Sequence, residues 1–450
     1  MSITEKLARF VIETRDQDIP SEVIKAATNA LLDTYGAGLA GSREEAGIIA
    51  RKWVEEMGGR GQATLWGSEV RGSVADAAFA NGIYAHALDF DDSLPTLRGH
   101  ASAPVVATAL AVGESNGSSG LAVLGAYVLA LEVAGKLGRV FGNEHYLKGW
   151  HNTSTIGTFT STAVAARLWG LTVQQLQCAW GLAASQVSGL VRNFGTMTKP
   201  FHVGRAARAG VTAAWLAKNG FTSDSEIFDH EKNVFFTYAA QDPTALEKHL
   251  SFLGNPWEVV APGNWVKRWP CCYCSHRAIG GVMELVSKHG IKSSDIKQIS
   301  VGFLPGTDEP LICTNPSTGL EGKFSVEYSL AAAILDGDLT LGSFTNEMVR
   351  RDEARALVAK VKRYRIEDSK VYGLDAYTDI KVEATQGNYE MRVEKTPGSP
   401  AWPLTQDERK AKFMSCVTSV IGEKGAKTAF ELASGCAGLR NIAELVVEKK

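Results

Sequence analysis

The chain lacks an excess of charge of either sign. Its 450 residues carry 47 Lys and Arg against 49 Asp and Glu, a formal net charge of −2. A dedicated nucleic-acid binder would show a basic excess or a basic stripe, so no nucleic-acid partner is expected. Long apolar runs are missing too. The longest stretches, such as LAVLGAYVLALEVAG, are interrupted by Glu132 and fall short of a membrane span, so no membrane partner is expected either. The opening residues, MSITEKLARFVIETRDQDIP, are charged every few positions and do not read as a secretory signal. Cysteine is scarce: seven residues, an odd number at irregular spacing, do not form a disulfide framework. Together these absences lead us to expect a reduced, cytoplasmic protein. Neither an HExxH metalloprotease motif nor a Walker phosphate loop is found.

What is present is small-residue helix. PSEVIKAATNALLDTYGAGLAG opens with a proline suited to a first turn, repeats apolar residues at Val23, Ala27, Leu31 and Tyr35, and closes in glycines. Its GAGLAG matches GxGxxG, but a dinucleotide site needs a strand before that motif. Here a helix precedes it, and close-packing, helix-ending glycines are the better reading. Similar helical patterns recur through residues 1–262. From about Pro262 the texture changes. IKQISVGFL reads as a strand, and YTDIKVEATQGNYEMRVEK alternates as a hairpin, with Ile380, Val382 and Ala384 before a turn at Gln386-Gly387-Asn388 and Tyr389, Met391 and Val393 after it. Helical segments stand between, including HRAIGGVMELVSKHG, SVEYSLAAAILDG and RDEARALVAKVKRY. Residues 263–400 are therefore expected to form an α+β domain. Residues 401–450 are helical again and are expected to return to the first domain. The fold class is mainly α, a large all-helical domain built from both chain ends plus a smaller α+β domain.

Four segments concentrate chemistry. HALDFDDSLPTLRGH (residues 86–100) sets three aspartates, Arg98 and two histidines between apolar flanks. GWHNTSTIGTF places His151 just before a helix that Thr153 or Ser154 would cap, where free N–H groups favour a carboxylate. TKPFHVGRAARAG puts Lys199, His202 and Arg205 at the start of an alanine-rich helix, a candidate anion site rather than a solvated face. VKRWPCCYCSH holds Lys267, Cys272 and His276. It contains Cys271-x-x-Cys274, but a structural zinc site usually wants a second such pair, which is absent. No metal ligand set is assigned. Histidines, lysines and aspartates without metal or nucleotide motifs suit acid–base chemistry on a small anion.

These segments, in this order, resemble the MmgE/PrpD family. HALDFDDS with the later Gly-His is similar to that family's H-x-x-D-F-D-D-[ST] element. GWHNTSTIGTF, TKPFHVGRAARAG, VKRWPCCYCSH and SVEYSLAAAILDG are similar to four further elements, and the likeness runs from about residue 5 to 440. The family includes 2-methylcitrate dehydratases, cis-aconitate decarboxylases and an iminodisuccinate epimerase. The resemblance implies that the α+β domain is a lid. It further implies a site in the cleft between the domains, no cofactor, a homodimer, and a small polycarboxylate as substrate. Carried across by position, it places Asp89, Ser93, His100, His151, Lys199, Lys267 and Tyr328 around that substrate.

Two departures stand out. Cys272 occupies the position of a family histidine, with His276 four residues later. LPTLRGHASAP is one residue longer than the decarboxylase pattern, adds Arg98 and lacks a His-Pro pair. The expected catalytic set is His100 and His151 as the acid–base pair, with Asp89 orienting one of them, assisted by Lys199 and Tyr328. Ser93, Arg98, His202, Arg205, Lys267, Cys272 and His276 are expected to bind substrate. Asp91 and Asp92 are expected to cap and fix the loop. The expected reaction is that of a 2-methylcitrate dehydratase-like hydro-lyase. The alternatives are an epimerase of an iminodisuccinate-like dicarboxylate, which the Cys272 change favours, a cis-aconitate decarboxylase-like carboxy-lyase, and, most remotely, a non-enzymatic or zinc-binding protein.

Overall fold

A computed structural model describes residues 1–239, 244–368 and 376–446. It divides into two compact units. The first comprises residues 1–192, 197–264 and 405–450, and the second comprises residues 193–196 and 265–404. The sequence alone puts these boundaries at 262/263 and 400/401.

The first unit is a stack of helices: α1 (Ile3–Glu13), α2 (Ser21–Gly41), α3 (Glu45–Met57), α4 (Val74–Ala87), α5 (Ser102–Asn116), α6 (Gly120–Leu147), α7 (Asn152–Leu168), α8 (Val173–Ala184) and α9 (Thr198–Lys218). A two-stranded ribbon, β1 (Ala63–Thr64) with β2 (Arg71–Gly72), lies between α3 and α4. The C-terminal helix Gln406–Ser434 packs on α2, with Phe413 against Gly36. The expected N-terminal helix is α2, and GAGLAG lies inside its end, where Gly38 meets Trp66 and Gly41 meets the backbone of Tyr84.

Helices α4, α5 and α7 are buried nearly all round, which is why their sequences show no polar stripe. Their small residues permit close crossings. A Cβ on Gly82 of α4 would stand 2.8 Å from Cα of Gly204 on α9, so these two helices meet backbone to backbone. This crossing brings the last turn of α4 beside the first turn of α9. Helix α6 is long and apolar enough to cross a membrane by length and composition, but 89% of its most apolar 18-residue window is buried within the structure. Its Glu132 and Lys136 are tied to each other, and Lys136 also bonds Glu258 at 2.9 Å.

The second unit carries a four-stranded sheet. Its strands are β3 (Ile296–Phe303), β4 (Val361–Arg365), β5 (Thr378–Ala384) and β6 (Gly387–Val393), in the order β4-β3-β5-β6. β3 and β4 are parallel; the other pairs are antiparallel. The alternating run Ile380, Val382, Ala384 is the buried face of β5, covered by the helix His276–His289. Two sequence expectations shift. Ala384 pairs with Gly387, so the hairpin loop is Thr385-Gln386, earlier than expected. RDEARALVAKVKRY is helical only over Asp352–Val358, and its end becomes β4 because pairing with β3 outweighs local helix preference.

Candidate active site

The segment between α4 and α5 is a pinned, mostly buried loop. Leu94 N–H donates to the Gly99 carbonyl at 2.8 Å, and His100 N–H donates to Thr153 Oγ1 at 3.0 Å. Asn152 Nδ2 donates to the Leu97 carbonyl at 2.8 Å, and Lys412 Nζ donates to the Phe90 carbonyl at 2.8 Å. Asp89 and Arg98 take left-handed backbone angles, φ +52° and +53°. Non-glycine residues adopt that region at a cost of order 1 kcal/mol, and here the surrounding bonds impose it.

This loop closes a cluster of imidazoles and carboxylates within the helical unit. His86, in the last turn of α4, places Nδ1 2.9 Å from both Asp91 oxygens. His100 Nδ1 lies 2.8 Å from the Asp92 carbonyl and 3.2 Å from Asp91 Oδ2, and its ring meets that of His86 at 4.5 Å between centroids. Asp89 sits on the other edge of both rings, with Oδ1 3.7 Å from His100 Nε2 and 4.0 Å from His86 Nε2. Lys199 Nζ, from the first turn of α9, donates to the same Asp89 oxygen. Burial alone would raise the Asp91 carboxyl; the imidazoles of His86 and His100 overcome this and hold it well below its usual range. Burial, with help from the Lys199 charge, pushes His86 down to about 3, so it is neutral and donates from Nδ1.

His151 is the N-cap residue of α7, and its side chain makes no capping bond. Neither expected cap is used that way. Thr153 Oγ1 accepts from His100, and Ser154 Oγ donates to the His202 carbonyl. His151 Nδ1 lies 3.1 Å from His202 Nδ1. One must donate and the other accept, so the two neutral rings hold opposite tautomers. Burial and the Lys199 charge lower His151 well below its ordinary value and His202 to about 4. Gly189 makes room for this pair: its φ is +116°, and a Cβ there would come 2.7 Å from Ser154 and 3.4 Å from the His202 ring.

Asp92 faces the opposite side. Its Oδ2 accepts from Ser102 Oγ at 2.6 Å and from Asn264 Nδ2 at 2.5 Å, and both donors also meet the Tyr127 hydroxyl. With neutral partners only, burial pushes the Asp92 carboxyl up to about 7.

Asp89, His100, His151, Lys199 and His202 thus lie together, and Ser93 and Arg98 share the loop that carries Asp89 and His100. Four expectations change. Asp89 lies beside the Nε2 edge of His100 and against Lys199, so it is not the carboxylate behind the Nδ1 edge. Asp91, expected as a loop cap, occupies that place, and His86 joins it. The signal for both is a histidine in the last helical turn with an aspartate five residues on. Arg98 extends toward Asn143, at 2.6 Å, and stacks over Tyr146. Arg205 projects from another face of α9 than Lys199, into a groove of about 790 Å³ lined by Trp53, Phe79, Phe201 and Arg208, because a step of six residues rotates a helix by about 240°.

In the α+β unit, Lys267 and His276 are fully buried, and the His276 ring lies against Trp269 and Tyr273 at 5.1 and 4.7 Å. Cys272 is buried, and its N–H donates to the Lys323 carbonyl. The Tyr328 hydroxyl, expected to donate to substrate, donates instead to the Ser343 carbonyl in the same unit. Among the described residues, the side chains close enough to share a cation are His86, Asp89, Asp91 and His100, with ligand atoms within 4.8 Å of one another. A cation there would have to displace the Lys199 ammonium from Asp89 and the His86 ring from Asp91.

The sequence matches two family descriptions in succession, the MmgE/PrpD N-terminal domain over residues 5–247 and the MmgE/PrpD C-terminal domain over residues 269–435. It is 28% identical to the cis-aconitate decarboxylase of Homo sapiens over 433 residues, covering 93% of this chain and 89% of that one. It is 25% identical to the cis-aconitate decarboxylase-like protein oryM of Aspergillus oryzae, covering 93% and 91%. To the cis-aconitate decarboxylase of Aspergillus terreus it is 23% identical, covering 99% and 95%. With both domain descriptions matched in order across a mainly helical chain with a small sheet unit, the protein belongs to the MmgE/PrpD family.

Proposed function

We propose that the chain is a lyase that decarboxylates a small cis-aconitate-like tricarboxylate by acid–base chemistry in the His86–His202 cluster, without an added cofactor. The observation that carries this reading is Lys199 set on Asp89 beside His100, with the neutral His151–His202 pair nearby. The relatives named as cis-aconitate decarboxylases direct the choice of substrate. An arriving carboxylate competes with Asp89 for the Lys199 ammonium. The C–C bond to the departing carboxylate breaks, CO₂ leaves, and the electron pair passes into the conjugated system beside a remaining carboxylate. The Lys199 charge stabilises that developing anion in a water-poor site. His100, which has first taken up a solvent proton at Nε2, delivers that proton to carbon and returns to its neutral form, and His151 hydrogen-bonds a second carboxylate.

Dehydration is the second reading, favoured by the two imidazoles His100 and His151, one to take a proton from carbon and one to protonate the leaving hydroxyl. Incubating the protein in D₂O with cis-aconitate, citrate, 2-methylcitrate and iminodisuccinate, followed by proton NMR, separates these outcomes. CO₂ loss with one deuterium entering the product is expected. Water loss from a citrate would transfer the assignment to dehydration, and exchange without a change of skeleton would transfer it to epimerisation. If all four acids are untouched, the reading falls.

A further inference from the structure

Two imidazoles share one carboxylate on the side of the cluster that faces away from Lys199. His86 donates from Nδ1 to Asp91, both oxygens lying at 2.9 Å. His100 presents its own Nδ1 to the same carboxylate at 3.2 Å and to the Asp92 carbonyl at 2.8 Å. A carbonyl oxygen only accepts, so His100 Nδ1 must carry the hydrogen. The neutral ring then has its lone pair at Nε2, the nitrogen beside Asp89.

We propose that Asp91 is a positioning residue for His100. Clamped by His86, it faces the Nδ1 edge of His100 and balances the positive charge that ring acquires when Nε2 takes up a proton. The Asp92 carbonyl fixes the tautomer, and Asp91 supplies the charge. Asp91 is fully buried, and Lys199 is bonded to Asp89, so the Asp91 charge answers to the two imidazoles. The same logic explains His86. It is too deeply buried to be a second acid or base, but its N–H holds the Asp91 carboxylate in place without neutralising it. Asp89, on the Nε2 side, lies where substrate must come and is the wrong carboxylate for this task.

The inference rests on His100 as the proton-transfer residue, and its test separates the two. The full chain is labelled with ¹⁵N-histidine, and long-range ¹H–¹⁵N correlations are assigned to His100 with His100→Gln. The expected spectrum shows a protonated Nδ1 and an unprotonated Nε2 in the neutral ring, and it needs no substrate. A neutral ring with its hydrogen on Nε2 and none on Nδ1 would overturn the proposal. Turnover is then compared in Asp91→Asn, which keeps the shape, and Asp91→Glu, which keeps the charge. A charge-balancing role predicts that kcat falls by roughly 10²-fold or more in Asp91→Asn with KM changed less than about threefold, and that Asp91→Glu retains more activity. A packing role predicts the reverse order, and that result would also overturn the proposal. If the wild-type protein turns over none of the offered acids, the assigned reaction fails while the tautomer still decides the geometry; if Asp91→Asn does not fold, the tautomer and Asp91→Glu still decide the question.

Discussion

Asp91 and Asp92 are neighbours, both are fully buried, and they behave as opposites. Asp91 meets imidazoles and is held well below the usual carboxylate range. Asp92 meets a serine hydroxyl and an amide, and burial drives it up to about 7. Burial is the same for both, so the kind of partner decides which one keeps a charge near neutral pH. The loop therefore separates two regions. On the α4 and α9 side, charges are held ready, with Lys199 on Asp89 and Asp91 between two histidines. On the side of Ser102, Tyr127 and Asn264, the network serves best when uncharged, and its function is to hold the loop in place.

The most direct way to break this contrast is to remove the cation from the charged side. In Lys199→Met the Asp89 carboxylate stays buried and loses its ammonium. We expect kcat/KM on the identified substrate to fall by roughly 10²-fold or more, as for other removed charge stabilisers. Folding stability should also drop by about 3–5 kcal/mol, the cost of leaving a buried charge without its partner. Steady-state kinetics and urea unfolding of the same preparation read both effects. Activity within threefold of wild type would show that Lys199 is structural.

Why the charged side is only half legible follows from how it is built. Asp89, His100, His151 and Lys199 stand out in sequence because they are polar residues within apolar flanks. The pairing of Asp91 with His86 and His100 depends on a loop whose path is set by Thr153, Asn152 and Lys412, residues 53 to 322 positions away from their partners. The five-residue spacing hints at the His86 pair, but no local pattern carries the approach of His100 to the same carboxylate. Arg205 misleads for the opposite reason. It sits in the same basic run as Lys199, but helical rotation turns it toward the groove of Trp53 and Phe201. The fold is easier to read. Glycine and alanine at helical spacing announce close-packed helices, and alternation announces the β5–β6 hairpin. β4 is hidden because its five residues continue a helical pattern and become a strand only through β3.

A milder disturbance loosens the scaffold beneath the charged side. Gly204 faces the Phe79 carbonyl, and a Cβ there would stand 2.3 Å from that oxygen. Gly204→Ala must push α9 away from α4, and with it Lys199 and His202. We expect about 1–3 kcal/mol of destabilisation by urea unfolding. A displacement of even about 1 Å can cost ~10²-fold in rate, so kcat should fall although no polar group is lost. Unchanged stability would mean that the backbone contact between these helices can relax freely.

The last change acts on the uncharged side and leaves the charged side alone. Asp92 has a folded pKa near 7, above the ordinary unfolded value near 3.8. A carboxyl raised on folding contributes stability below the unfolded value, and that contribution is lost as pH rises through the folded one. Wild-type protein should therefore lose stability between about pH 4 and pH 7 through this residue. Asp92→Asn keeps an oxygen to accept from Ser102 and Asn264, places its amide where Asp92 Oδ1 has no hydrogen-bond partner, and does not titrate. Near pH 4 the two proteins should have similar unfolding free energies. By pH 8 the variant should be the more stable by up to a few kcal/mol, because a tenfold difference in proton affinity between the folded and unfolded chain corresponds to about 1.4 kcal/mol. Parallel urea curves from pH 4 to 8 measure this difference. If it does not grow with pH, Asp92 is charged in the folded protein, and the contrast between the two aspartates disappears.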